Sequence, residues 1–216
     1  MGSGSTGWTD QHEEALPVLE ELVQRGDATP AEYLSLARAY GLSGRLDRSQ
    51  SVLSDATRIW GETPPLLTAR ASIFFAAGQR DSALAVHRRL LARRPGAVTS
   101  LNFIAYDLAD RGESLDEALD LATRASELSP ESPLVRDTLG WTYFRLARYE
   151  EAVEQLELAV SLEANSAVVL EHLGDAYDAL GRTEDARDAW RRALELAPER
   201  NTTLQRLSGG ATNDQQ

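Results

Sequence analysis

The chain has no cysteine and no lysine, and its one methionine is the first residue. Without cysteine there is no disulfide framework, no thiolate metal site and no cysteine nucleophile. Without lysine there is no Schiff-base chemistry and no phosphate-loop lysine, and no GxxxxGK[ST] occurs. No run approaches the roughly 18 consecutive apolar residues of a membrane span, and the N-terminus lacks the basic-then-apolar order of a signal peptide. Positive charge is scarce: 22 basic residues, all arginine, stand against 34 acidic ones, for a net charge of −12. A body this acidic repels phosphate backbones and anionic lipid, so no nucleic-acid partner and no membrane insertion are expected. The three histidines, at 12, 87 and 172, lie far apart, and HExxH, GxSxG and GxGxxG are all missing. Neither a catalytic residue, a metal site nor a cofactor is indicated. What the chain does have is an apolar share of 42% over 216 residues, enough for a buried core.

Those residues recur with a period. Leu139, Gly140, Tyr143, Ala152, Leu156 and Ala159 return 34 positions later as Leu173, Gly174, Tyr177, Ala186, Trp190 and Ala193. Tyr40, Phe74, Leu108, Tyr143 and Tyr177 are spaced by 34, 34, 35 and 34, with one residue inserted between Gly112 and Ala118. Five repeats follow, at 30–63, 64–97, 98–132, 133–166 and 167–200. Each reads as two helices, because its apolar residues fall at helical spacing in two blocks. Thr29-Pro30-Ala31-Glu32 and Ser114-Leu115-Asp116-Glu117 are predicted capping boxes. Gly44, Gly78, Gly112 and Gly181 stand where the first helix must stop, in the left-handed conformation that glycine takes without a clash. Gly140 and Gly174 predict close helix contact, and the recurring alanines leave room for the larger residues opposite.

The period, the L-G-x-x-Y of the first helix, the A-x-x-x-[LW]-x-x-A of the second and the closing prolines resemble the tetratricopeptide repeat, over about residues 30 to 200. The resemblance implies an all-α fold, a right-handed α-solenoid of antiparallel helix pairs. Arg70-Ala71 in place of Leu-Gly, Ser49 in place of alanine and Leu90 at a small site depart from the pattern. Residues 10–29 are expected to be the second helix of a truncated repeat, preceded by a flexible, linker-like 1–9. A short cap is expected at 201–208, with Leu204 and Leu207 covering the last repeat, and a disordered tail at 209–216. Leu101-Asn102, Asp137-Thr138-Leu139-Gly140-Trp141 and Glu171-His172-Leu173-Gly174-Asp175 resemble the C-terminal repeats of bacterial multi-repeat proteins, some of them envelope lipoproteins that act as adaptors. That likeness implies a bacterial protein of cytoplasm or periplasm and does not decide between them.

Opposite the core stripe of the first helices runs a second one. Asp137, Trp141 and Phe144 lie at i, i+4 and i+7, and an apolar second face needs a cover. In tetratricopeptide proteins this stripe lines a concave groove that holds an extended peptide or partner helix. Carried over by spacing, it takes Phe75, then Asn102 and Tyr106, then Asp137, Trp141 and Phe144, then Glu171, Asp175 and Asp178. Phe103, Arg145 and His172 lie beside it, with Asn102 and His172 placed to bond a peptide backbone. The groove reads as aromatic in the middle and acidic toward its end, favouring a neutral or basic protein segment. Its acids, and the absence of lysine, also argue against gripping a free C-terminal carboxylate. Arg88, Arg89, Arg93 and Arg94 form the one concentrated basic patch, suited to dipole complementation or to meeting an acidic patch on another copy. The functional expectation is a non-catalytic interaction scaffold. A self-assembling structural protein and a part of a larger enzyme are the alternatives.

Overall fold

A computed structural model describes residues 16–200 together with Thr203, Arg206 and Leu207. The expectations for 1–9, for 10–15 with His12, for Leu204 and for 209–216 lie outside the described residues. The described chain is helical: α1 over residues 16–24, then α2 (Pro30–Leu42), α3 (Leu46–Trp60), α4 (Pro64–Ala76), α5 (Arg80–Arg93), α6 (Val98–Arg111), α7 (Leu115–Leu128), α8 (Pro133–Arg145), α9 (Tyr149–Leu162), α10 (Ala167–Ala179) and α11 (Thr183–Leu196). Two compact units divide it, with the boundary between Ala97 and Val98.

Local sequence sets the helix ends. Prolines occupy the first turns of α2, α4 and α8, where a missing N–H costs nothing. At α2 the capping box is complete: Thr29 Oγ1 accepts from the Glu32 N–H at 3.4 Å, and the Glu32 carboxylate accepts from the Thr29 N–H at 2.6 Å. The second box does not form. Ser114 is left-handed, at φ 44°, and makes no side-chain capping bond. The inserted residue explains this: α7 starts three residues after Gly112, whereas α3, α5 and α11 start two residues after Gly44, Gly78 and Gly181. Those four glycines have φ between 71° and 74°. In the fourth repeat the same position is Ala147, left-handed at φ 56°.

In the N-terminal unit, Leu16 of α1 packs with Leu36, Ala39 and Tyr40 of α2, whose phenol donates to Glu20. Tyr33, Leu53, Ala56, Leu66 and Ile73 build the core of α2, α3 and α4. Leu67, Ala71, Val86 and Leu90 join α4 to α5. Two of the departures from the repeat pattern are accommodated: buried Ser49 donates its hydroxyl to the Ala37 carbonyl at 2.6 Å, and Leu90 is itself core.

In the C-terminal unit, α6 pairs with α7, α8 with α9 and α10 with α11, while α6 also packs on α8 and α8 on α10. Ala118, Ala122, Ala152, Ala159, Ala186 and Ala193 are completely buried. A Cβ on Gly140 would come within 2.6 Å of Leu156 Cγ and 3.2 Å of the Ala152 carbonyl, and one on Gly174 would overlap the Trp190 indole. The two glycines therefore make room chiefly for side chains of the paired helix, and at Gly140 for its backbone as well.

Candidate functional site

The first helices of the C-terminal unit, α6, α8 and α10, carry eleven of the twelve expected groove residues. On α6, Asn102 is 7% exposed, with Phe103 and Tyr106 half-buried. On α8, Asp137 is buried, and Trp141, Phe144 and Arg145 are half-buried. On α10, Glu171 and His172 are buried, Asp175 half-buried and Asp178 exposed. Expected beside the groove and free to bond a peptide backbone, His172 is instead only 8% exposed, packed against Asp137 and Trp141 of α8.

Around His172 these side chains form one cluster. Its Nδ1 lies 2.7 Å from Asp137 Oδ1. Its ring stacks on Trp141, centroids 4.2 Å apart and planes 17° from parallel, and lies 6.4 Å from the Tyr106 ring. Trp141 also stacks on Phe144 at 5.0 Å, and Phe144 meets Tyr149 at 5.6 Å. The guanidinium of Arg145 stands 5.7 Å from the Trp141 ring centre and donates to the Asp110 carbonyl at 2.6 Å. The Trp141 side chain is thus already flanked by two near-parallel rings. It does not present a bare aromatic surface, as its place on the second stripe suggests.

Two polar atoms in this region are left over. Asn102 Oδ1, an acceptor, and Trp141 Nε1, a donor, are buried with no hydrogen-bond partner among the described residues. Each such atom costs about 1–3 kcal/mol relative to a satisfied one.

The acidic end is differently arranged from the sequence expectation. Glu171 accepts from Arg200 Nε at 2.7 Å, pairs through its other oxygen with the same guanidinium, and accepts from the Thr203 hydroxyl. Asp175 accepts from Trp190 Nε1 at 3.1 Å and pairs with Arg206 at 2.8 Å. Burial raises the Asp175 carboxyl above its usual range, against the pull of Arg206 and Trp190. Two of the three carboxylates of the acidic end, Glu171 and Asp175, are therefore met by arginines of this chain. Sequence reasoning assigned 201–208 a covering role through its leucines and overlooked Arg200 just before it and Arg206 within it. Leu207 does pack on the Val169, Leu173 and Trp190 core.

In the N-terminal unit, Phe75 is 57% exposed on α4. Arg88, Arg89, Arg93 and Arg94 are exposed at the end of α5. Arg89 and Arg93 close on Glu62, Arg93 donating to its carbonyl at 2.8 Å and its carboxylate at 3.1 Å. Part of that positive charge is thus neutralised locally. Among the described residues, no three His, Asp or Glu side chains are grouped to hold a metal ion, and no helix is long and apolar enough to cross a membrane.

Models of the tetratricopeptide repeat match residues 68–133, 136–166 and 167–200. The chain belongs to the tetratricopeptide repeat family. A TPR repeat-containing protein of Pseudomonas aeruginosa is 28% identical over 149 residues, which are 64% of this chain and 25% of the relative. This tetratricopeptide repeat chain thus spans about a quarter of the length of that relative. Among solved structures, a thermophilic TPR protein of Thermus thermophilus superposes with a TM-score of 0.63 at 22% identity, over 85% of this chain and all of the other. YrrB, described as a TPR protein with an unusual peptide-binding site, superposes with a TM-score of 0.66 at 14% identity, over 87% of this chain and 96% of the other. At these identities the likeness establishes the fold: all-α, of the tetratricopeptide α-solenoid class. Its tetratricopeptide repeats mark the chain as a protein–protein interaction scaffold, and the relative it resembles is bacterial.

Proposed function

We propose that the α6–α8–α10 face of the C-terminal unit binds an extended, uncharged segment of a partner protein, and that the chain acts as a non-catalytic adaptor. The observation that carries this reading is the pair of buried, unpartnered atoms, Asn102 Oδ1 and Trp141 Nε1. A peptide backbone offers both complements, an N–H for the asparagine oxygen and a carbonyl for the indole. Satisfying such atoms on binding recovers the cost of leaving them unpaired. Tyr106 and Phe103, half-buried on α6, supply apolar contact at a place where aromatic residues concentrate binding energy.

Charge narrows the partner. Glu171 and Asp175 are matched by Arg200 and Arg206, so attraction for a basic ligand is smaller here than the carboxylate count suggests. The net charge of −12 disfavours nucleic acid. Residues 30–200 are proposed as five repeats, with α1 as the second helix of a preceding one.

Capture of partners from the source lysate, followed by titration of a peptide from the captured protein, tests the reading. Trp141→Phe removes the indole N–H and keeps an aromatic ring; with Asn102→Ala it should weaken binding at least tenfold while the fold persists by circular dichroism. Unchanged affinity in the double variant would move the site off this face.

A further inference from the structure

Thr203, Arg206 and Leu207 are helical, Arg200 precedes them outside a helix, and all four touch α10 or its core. Glu171 is 4% exposed. A carboxylate so buried needs a cation and a donor beside it, since an unpaired buried charge is strongly destabilising. Arg200 meets it with a two-point fork, Nε to one oxygen and Nη2 to the other. A lysine cannot reproduce that geometry. Asp175 takes a second guanidinium one turn along α10. The arginines themselves keep about a third of their side-chain surface exposed, Arg200 33% and Arg206 36%. Their contacts are therefore open to competition and to salt.

We propose that this face of α10 is a docking site for a partner-protein segment with two arginines, an intervening hydroxyl residue and a following aliphatic residue, and that the chain's own Arg200, Thr203, Arg206 and Leu207 occupy it in the partner's absence. The occupant shows what the site accepts: the arginine fork for Glu171, the hydroxyl for its remaining lone pair, the second arginine for Asp175, and leucine for the Val169–Leu173–Trp190 core. A tethered segment acts at an effective concentration on the order of millimolar. A partner's apparent affinity is accordingly reduced by the fraction of molecules in which the site is free. This docking site lies at the α10 end of the face proposed above but does not rest on that reading, and its test leaves Asn102 and Trp141 unaltered.

The probe is a fluorescein-labelled peptide with the sequence of residues 197–210, titrated by anisotropy at low salt against the full chain. Arg200→Ala with Arg206→Ala weakens the internal occupant. This double variant should bind the peptide at least tenfold more tightly than wild type does. A peptide with lysine in place of both arginines should bind at least tenfold more weakly, and adding Asp175→Asn should abolish the gain. Equal binding to wild type and double variant, or a gain that survives Asp175→Asn, would overturn the proposal. So would a doubled mass in light scattering without peptide binding, which would mean exchange of the segment between copies. If the double variant does not fold, hydrogen exchange on wild type decides. Excess peptide should speed exchange at 200–207 while α11 stays protected, and unchanged exchange at matched ionic strength would refute the inference.

Discussion

Trp190 donates its indole N–H to Asp175 at 3.1 Å while its ring fills the space that a Cβ on Gly174 would need. One residue of α11 is thus fixed to α10 by a hydrogen bond, a shape fit and a core of Leu173, Ala186 and Ala189. Trp190→Ala should destabilise by roughly 3–5 kcal/mol, the usual cost of emptying a buried aromatic site. Trp141→Ala removes stacking contacts worth about 0.5–1.5 kcal/mol each from a half-buried side chain, so its cost should be smaller. Denaturant titration of both variants compares them; equal losses would mean that Trp141 belongs to the core.

At Ala147 the backbone is left-handed, which costs an L-residue with a Cβ roughly 1–2 kcal/mol. Four other repeats place glycine at the equivalent position. Ala147→Gly should therefore stabilise, by about 0.5–1 kcal/mol after the extra entropy of glycine in the unfolded chain is counted. A lower denaturation midpoint in this variant would contradict the assignment.

The Asp137–His172 bond joins α8 to α10 at 2.7 Å, with both side chains buried. Removing either partner should cost about 1–3 kcal/mol by leaving the other unsatisfied. The double removal should then cost less than the sum of the two. A cycle of Asp137→Ala, His172→Ala and the double variant measures the coupling, and strict additivity would show that the bond does not form in solution.

Burial lowers the His87 pKa to about 4 on α5, from an ordinary value near 6.5. Between these values the unfolded chain binds a proton that the native protein does not, so stability rises with pH across that window. The full contribution is present above about pH 6.5 and is lost as pH falls toward 4. The melting temperature of wild type should drop over this interval, and His87→Leu should flatten that part of the profile; parallel profiles would rule out His87 as the cause.

The helix pairs were legible because a 34-residue period repeats the same small and large residues, and each repetition is a separate witness to one packing rule. Proline and glycine punctuation marked most helix ends for the same reason. The second capping box failed because φ at Ser114 is set by a loop one residue longer, which a local motif does not register. Ala147 was invisible for the converse reason: nothing in an alanine announces left-handed backbone, and only its place in the period does. In the candidate site, spacing correctly put Asn102, Tyr106, Asp137, Trp141 and His172 on successive first helices. It could not show that Trp141 leans on His172, or that Arg200 and Arg206 reach back to Glu171 and Asp175, since those contacts depend on side-chain direction between helices.

The extra residue between α6 and α7 also says where this kind of chain tolerates change in length. Inside a helix, one added residue turns everything beyond it by about 100°, which would swing the buried alanines of α7 toward water. Placed in the loop, it leaves Ala118, Ala122 and Ala125 all fully enclosed. Growth by single residues at these corners is therefore close to silent for the core, and the 112–115 corner is the natural place to graft an epitope or a reporter without disturbing either helix.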